Sequence, residues 1–155
     1  MDQVGPGAIA EPDPAEVRAM PNVVHHIELW TSDVVAATPS FDWVLTSMGW
    51  RADHDPEWSQ GRNWHHPSGV YIVLEQSPAI SGPHEGTHAG LNHLALRVRD
   101  RDQLDRLRED AADHGWCELF ADRYPHAGGP QHTALFIEND EGFELELVAD
   151  SEAAN

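Results

Sequence analysis

Lysine is absent from this chain, and its nine arginines face 27 Asp and Glu residues, which gives the 155 residues a formal net charge of −18 at pH 7. A surface this negative repels the phosphates of nucleic acids and the head groups of anionic lipids. We therefore expect no nucleic acid and no membrane among the partners of the protein.

Cysteine is nearly absent as well: Cys117 is single, so no internal disulfide can form. No segment has the order of a secretory signal, and no apolar run approaches the roughly 18 residues that a membrane helix requires. These absences favour a cytoplasmic protein. Cys117 follows a Gly-Trp pair at the start of a predicted strand, and we expect it to be a small buried residue.

An internal repeat divides the chain into two halves. V-V-H-H-I-E-L-W-T-S-D, which ends at Asp33, resembles G-L-N-H-L-A-L-R-V-R-D, which ends at Asp100. In each half a helical pattern and a Gly-Trp pair follow, and each half closes on a strand that carries a glutamate. The repeat therefore predicts two copies of one structural unit in tandem.

Hydrophobic periodicity gives each unit the order strand, helix and three strands. Six of these eight strands are predicted at 24–30, 61–66, 70–76, 92–99, 132–138 and 143–148, and the helices run from Thr38-Pro39 to Gly49 and from Asp102 to His114. We predict an α+β fold of two tandem βαβββ modules that form a curved mixed sheet around a cavity. A flexible arm covers 1–21, the domain covers 22–149 (modules at about 22–76 and 91–149, linker at 77–90), and a tail covers 150–155.

Side-chain alternation defines the candidate site, because successive residues of a strand point to opposite faces. The apolar face of each strand can take a helix, which leaves the His and Glu side chains on the opposite faces, among them His26, Glu75, His93 and Glu146. That face is either open to solvent or, if the sheets curve, the lining of a cavity. Two imidazoles and two carboxylates suit one divalent ion such as Ni, Zn, Co, Fe or Mn.

These motifs resemble those of a known superfamily. H-H-I-E-L-W-T-S-D, with M-G-W after the helix, is similar to the start of a module of the vicinal oxygen chelate superfamily of glyoxalases, bleomycin resistance proteins and extradiol dioxygenases. G-L-N-H-L-A-L-R-V-R-D and N-D-E-G-F-E-L-E-L-V resemble the start and the end of the second module, and the resemblance covers 23–149. For glyoxalase I-like members it implies a metal held by a His and a Glu of each module, at positions that match His26, Glu75, His93 and Glu146.

The resemblance also orders the possible activities. Extradiol dioxygenases and fosfomycin-resistance enzymes use two His and one Glu, so Glu75 favours the types with four ligands. A complete ligand set argues against the metal-free bleomycin-binding members. Trp30 stands where glyoxalase I-like members carry an Arg for the thiol cofactor, which argues against a glutathione-dependent activity.

We therefore expect a metal-dependent isomerase or lyase, similar to glyoxalase I, in which Glu146 or Glu75 moves a proton of a small oxygen-chelating substrate. The alternatives are an Fe(II) dioxygenase of the extradiol type and a metal-free drug-binding resistance protein. Substrate contacts are expected from the polar strand faces and from the loop D-R-Y-P-H-A-G-G-P-Q-H, namely from Trp30, Glu28, Arg97, Tyr124 and His126. A homodimer is the default assembly, and the site lies either within one chain or across the dimer.

Overall fold

The computed structural model describes residues 22–150. The predicted arm (1–21) and all but the first residue of the predicted tail lie outside this range. The strands are β1 (His26–Trp30), β2 (Arg51–Ala52), β3 (Gly61–His65), β4 (Tyr71–Glu75), β5 (Leu94–Val98), β6 (Trp116–Leu119), β7 (Thr133–Asn139) and β8 (Glu144–Ala149). The helices are α1 (Val34–Ser47) and α2 (Arg101–Asp110), and short 3-10 turns cover Ala111–His114 and Ala121–Arg123.

Each half of the chain builds its own four-stranded mixed sheet. Sheet 1 has the order β1-β4-β3-β2 and sheet 2 the order β5-β8-β7-β6. In each sheet the first and last strands of the module pair in parallel, and the remaining pairs are antiparallel. The prediction of an α+β fold with two βαβββ modules is confirmed.

The two aspartates of the repeat have the same structural role, because each caps the helix of its module. Asp33 accepts hydrogen bonds from the backbone N–H groups of Val35 and Ala36, both at 3.0 Å. Asp100 accepts one from the N–H of Gln103 at 2.7 Å. These carboxylates satisfy N–H groups that have no partner within the helix.

The predicted start of the first helix at Thr38-Pro39 is wrong, because the cap at Asp33 begins the helix five residues earlier. Pro39 lies inside α1 and on its exposed side. Proline lacks the N–H that would bond to the carbonyl of Val35. Val35 is also exposed, so water can reach that carbonyl.

Cys117 is exposed, so the prediction of a buried cysteine is wrong. Its neighbour Trp116 is fully buried and points to the helix side of sheet 2. Alternation along β6 then turns Cys117 to the opposite face, where it pairs with Glu138.

One apolar core joins the two modules, and α1 lies at its centre. The ring of Phe41 is 6.1 Å from that of Trp64 on β3 and 5.5 Å from that of Trp116 on β6. The indole N–H of Trp116 also donates to the carbonyl of Ser40 at 2.9 Å. One side of α1 therefore contacts both sheets.

Candidate functional site

Glu146 is the centre of the polar side of sheet 2. It sits on β8 opposite Ala95 and is only 8 % exposed. The Nε2 atom of His93 lies 3.0 Å from one carboxylate oxygen, and the Nε2 atom of His132 contacts the other. A buried carboxylate needs such partners, because its charge is costly to remove from water without them.

The other ring nitrogen of His93 fixes how that side chain faces Glu146. Nδ1 lies 2.8 Å from the side-chain oxygen of Asn92 and therefore donates its N–H to it. In the neutral ring Nε2 is then a bare acceptor that faces a carboxylate oxygen. Nε2 and the carboxylate oxygen would both be acceptors, so this contact requires a cation that both can bind, either a proton or a metal ion.

His132 is a site residue that the sequence analysis missed. It lies in the loop before β7, whose fold brings the ring back over Glu146. A Cβ atom on Gly128 would come within 2.5 Å of this ring, so the loop needs glycine there. The Nδ1 atom of His126 donates to the carbonyl of His132 at 3.1 Å and steadies the turn. The sequence did contain a sign of this role. His132 lies an even number of residues before Phe136, and the side chain of Phe136 is on the same face as Glu146.

His26 lies on the polar side of sheet 1. Its ring stacks on Tyr71, with centroids 4.8 Å apart, and its Nδ1 atom is 2.9 Å from that of His25. The register places Tyr71 directly opposite His26. His26 therefore faces outward next to an aromatic ring.

Glu75 lies further along the same side of sheet 1, beside Glu28. The indole N–H of Trp30 donates to Glu28 at 2.6 Å, and Trp30 is the register partner of Glu75. Partial desolvation first, and then the neighbouring Glu28 carboxylate, raise the pKa of Glu75. Glu75 therefore keeps its proton to a higher pH than an isolated carboxyl group does.

The strand register separates Glu75 from the position of Glu146. Two residues after His93 comes Ala95, which pairs with Glu146; two residues after His26 comes Glu28, which pairs with Val73. Glu75 lies two residues beyond that position and four residues along the strand from His26, a distance of about 13 Å. A shift of two residues keeps a side chain on the same face, so sequence alternation could not reveal it.

The predicted four-residue metal site is therefore not assembled within one chain. Among residues 22–150, no three His, Cys, Asp or Glu side chains form a group that could hold a metal ion. The structure brings His93 and Glu146 together and adds His132. It leaves His26 and Glu75 on the other sheet.

The predicted substrate residues are spread over the molecule. Trp30 and Glu28 lie with Glu75 on sheet 1, and His126 lies beside His132. Arg97 is exposed and donates to both carboxylate oxygens of Asp150, at 2.8 and 2.7 Å.

Tyr124 is turned to the helix side of sheet 2. Its hydroxyl donates to Asp105 of α2 at 2.5 Å, and the guanidinium of Arg108 lies 4.1 Å from the ring centroid. Burial first, and then the hydrogen bond to Asp105, raise the pKa of Tyr124 to about 12. Tyr124 thus anchors its loop to α2.

Residues 25–136 match the model of the Glyoxalase/Bleomycin resistance protein/Dioxygenase superfamily. The chain belongs to this superfamily. The uncharacterized protein YqjT of Bacillus subtilis strain 168 is 35 % identical over 130 residues, which are 83 % of this chain and 99 % of that protein.

Solved structures of superfamily proteins share the fold. A candidate glyoxalase from Bacillus halodurans is 30 % identical with a TM-score of 0.75, over 83 % of this chain and 96 % of that one. A mutant of the fosfomycin resistance protein FosX from Listeria monocytogenes, solved with Mn(II) and 1S,2S-dihydroxypropylphosphonic acid, is 14 % identical. Its TM-score is 0.58 over 86 % of this chain and 94 % of that one. The superfamily thus contains enzymes.

No helix among residues 22–150 of this chain is long and apolar enough to span a bilayer.

Proposed function

We propose that this protein is a divalent-metal-dependent enzyme that acts on a small oxygen-chelating substrate by proton transfer, as isomerases and lyases do. The observation that carries the proposal is the buried Glu146 carboxylate, which faces the Nε2 atoms of His93 and His132. Nδ1 of His93 donates to Asn92, which is the hydrogen bond that a metal-ligating histidine makes with its second nitrogen.

The proposed ligands are His26, His93 and Glu146. Two imidazoles and one carboxylate suit a borderline divalent ion and leave coordination positions for substrate oxygens. Glu75 leaves the predicted ligand set, because Val73 stands at the position that corresponds to Glu146. A bound ion would supply Lewis-acid stabilisation of negative charge on the substrate oxygens. That FosX, with the same fold, was solved with Mn(II) supports a metal-dependent chemistry.

His26 would reach this site from a second copy of the chain. Among residues 22–150 of one chain, no metal-holding group of three His, Cys, Asp or Glu side chains contains His26. A symmetric homodimer can place the first module of each copy against the second module of the other, which forms two equivalent clefts. Each cleft would then contain His26 of one copy and His93 with Glu146 of the other.

The proposed proton shuttle is Glu75. Its raised pKa, caused by desolvation and by Glu28, brings the carboxyl closer to the range in which it can both accept and deliver a proton. Glu28 holds the indole of Trp30, so the two carboxyls and the ring form one wall of the cleft. Glu146 was the other candidate shuttle and is assigned here to the ligand set.

The first experiment measures the metal content of untagged protein next to two variants. We expect about one divalent ion per chain in the wild type and in Glu75→Gln, and none in His93→Ala. Loss of the ion in Glu75→Gln would indicate that Glu75 is a fourth ligand, as the sequence predicted. Absence of metal in the wild type, even after incubation with Ni, Zn, Mn and Fe(II), would reject the proposal in favour of a metal-free binding protein.

Mixing of variants tests the cleft across the dimer. His26→Ala and Glu146→Ala should each lose the metal, but a heterodimer of the two contains one intact cleft. Random exchange of subunits should restore about a quarter of the wild-type Mn(II) content. No recovery after verified exchange would place the site within one chain.

An Fe(II) oxygenase is the second candidate function. The strand register, which leaves two histidines and one carboxylate as ligands, favours it over a metal-free drug-binding protein. Two histidines and one carboxylate form the ligand set of many non-heme Fe(II) oxygenases. Fe in the purified protein, together with turnover that stops under strict anaerobiosis, would select this function. Turnover that continues without O₂ would support proton transfer.

A further inference from the structure

Phe120 has a backbone conformation that a bulky residue rarely adopts. Its φ of 58° and ψ of 35° lie in the left-handed region. Among the non-glycine residues 22–150 it is the one with a positive φ, and its side chain is 43 % exposed. Glycine or asparagine would fit this turn with less strain, and such strain is found where the surrounding structure or the function requires a given side chain.

The strained turn presents the Phe120 ring to the proposed metal ligands. Its centroid lies 5.6 Å from that of Phe136 in an edge-to-face arrangement. Phe136 pairs across the strands with Glu146, and its ring lies 6.0 Å from that of His93. Two aromatic rings thus lead from the ligands His93 and Glu146 toward solvent.

Arg123 holds the outer ring in place. Its guanidinium carbon lies 4.6 Å from the centroid of Phe120, a distance typical of a cation–π contact. This contact covers one face of the ring, and the exposed remainder is available to a ligand. An exposed aromatic ring that is braced in this way loses little conformational freedom when a ligand packs against it.

We infer that Phe120 and Phe136 form an aromatic subsite that selects oxygen-chelating substrates with a planar ring next to the chelating oxygens. The inference rests on the proposed function, because the metal ligands define where those oxygens bind. Edge-to-face packing of a substrate ring on Phe120 would supply the discrimination between ring-bearing and aliphatic substrates.

Two hydroxamates test the subsite, because they have the same chelating group and differ in one ring. Binding of acetohydroxamate and benzohydroxamate to the Mn(II)-loaded protein is measured by calorimetry. We expect the wild type to prefer benzohydroxamate by about 3- to 10-fold. Phe120→Gly should abolish this preference and leave the affinity for acetohydroxamate unchanged, and Phe120→Tyr should retain it.

Glycine accepts the left-handed turn, so Phe120→Gly should keep the fold, which its melting temperature verifies. Equal affinity of the wild type for both hydroxamates, or a preference that persists in Phe120→Gly, would overturn the subsite and leave the proposed function intact. Failure of both hydroxamates to bind would overturn the proposed function and the subsite together.

Discussion

Val73 in sheet 1 and Glu146 in sheet 2 occupy equivalent positions of the two modules. Each lies on the last strand of its module. Val73 pairs with Glu28, two residues after His26, and Glu146 pairs with Ala95, two residues after His93. The modules therefore differ at this position by an apolar and an acidic side chain. This difference, rather than the presence of Glu75 nearby, determines the ligand set that we propose.

Val73→Glu tests this equivalence. Val73 is buried, so a carboxylate there should destabilise the metal-free protein by about 1–3 kcal/mol. If Val73 lies at the metal, the new carboxylate becomes a fourth ligand, and saturating Mn(II) should raise the stability of the variant more than that of the wild type. Thermal unfolding with and without Mn(II) measures both effects. Val73→Gln is the neutral control, and an equal Mn(II) effect in both variants would argue against the equivalence.

His132→Ala should weaken the metal-free protein by about 1 kcal/mol, because the buried Glu146 loses one of its two imidazole partners. Urea unfolding measures the loss. His126→Ala is the matched control from the same loop, since His126 contacts a backbone carbonyl and not Glu146. Equal losses in the two variants would show that the loop, and not the contact with Glu146, accounts for the effect.

The pKa of Glu75 is raised above its ordinary value of 4.5, so the folded protein binds this proton more tightly than the unfolded chain does. Its contribution to stability is therefore greatest below pH 4.5 and is lost as the pH rises through the folded-state pKa. Stability of the wild type relative to Glu75→Gln should decrease between pH 4 and neutrality. Unfolding curves across this range test the sign, and Glu28→Gln should shrink the change because it removes one of its causes.

Tyr124→Phe separates an anchor from a substrate contact. Removal of the hydroxyl breaks the hydrogen bond to Asp105 and keeps the ring under Arg108. We expect a loss of stability of about 1 kcal/mol with unchanged metal content and unchanged hydroxamate binding. A loss of hydroxamate affinity at constant stability would indicate instead that Tyr124 contacts the substrate.

The repeat and the alternation of apolar residues predicted most of the fold. His26 and His93 were placed correctly on the polar faces, and Leu104 and Leu107 correctly in the core. The first helix began earlier than predicted, because Thr38-Pro39 matches a helix start as a local pattern while the cap at Asp33 decides the observed one.

Local sequence patterns indicate which strands exist, which face of each strand is apolar, and that two modules follow one another. The remaining features depend on how distant segments pack together. The pairing of β1 with β4 places Glu75 two residues beyond the position that is equivalent to Glu146. A shift of two residues leaves the side chain on the same face, so the alternation of residues could not reveal it. The packing of Phe41 against both sheets joined them through one core, and the fold of the loop before β7 brought His132 to Glu146. Each of these depends on contacts between distant segments, which local periodicity does not encode.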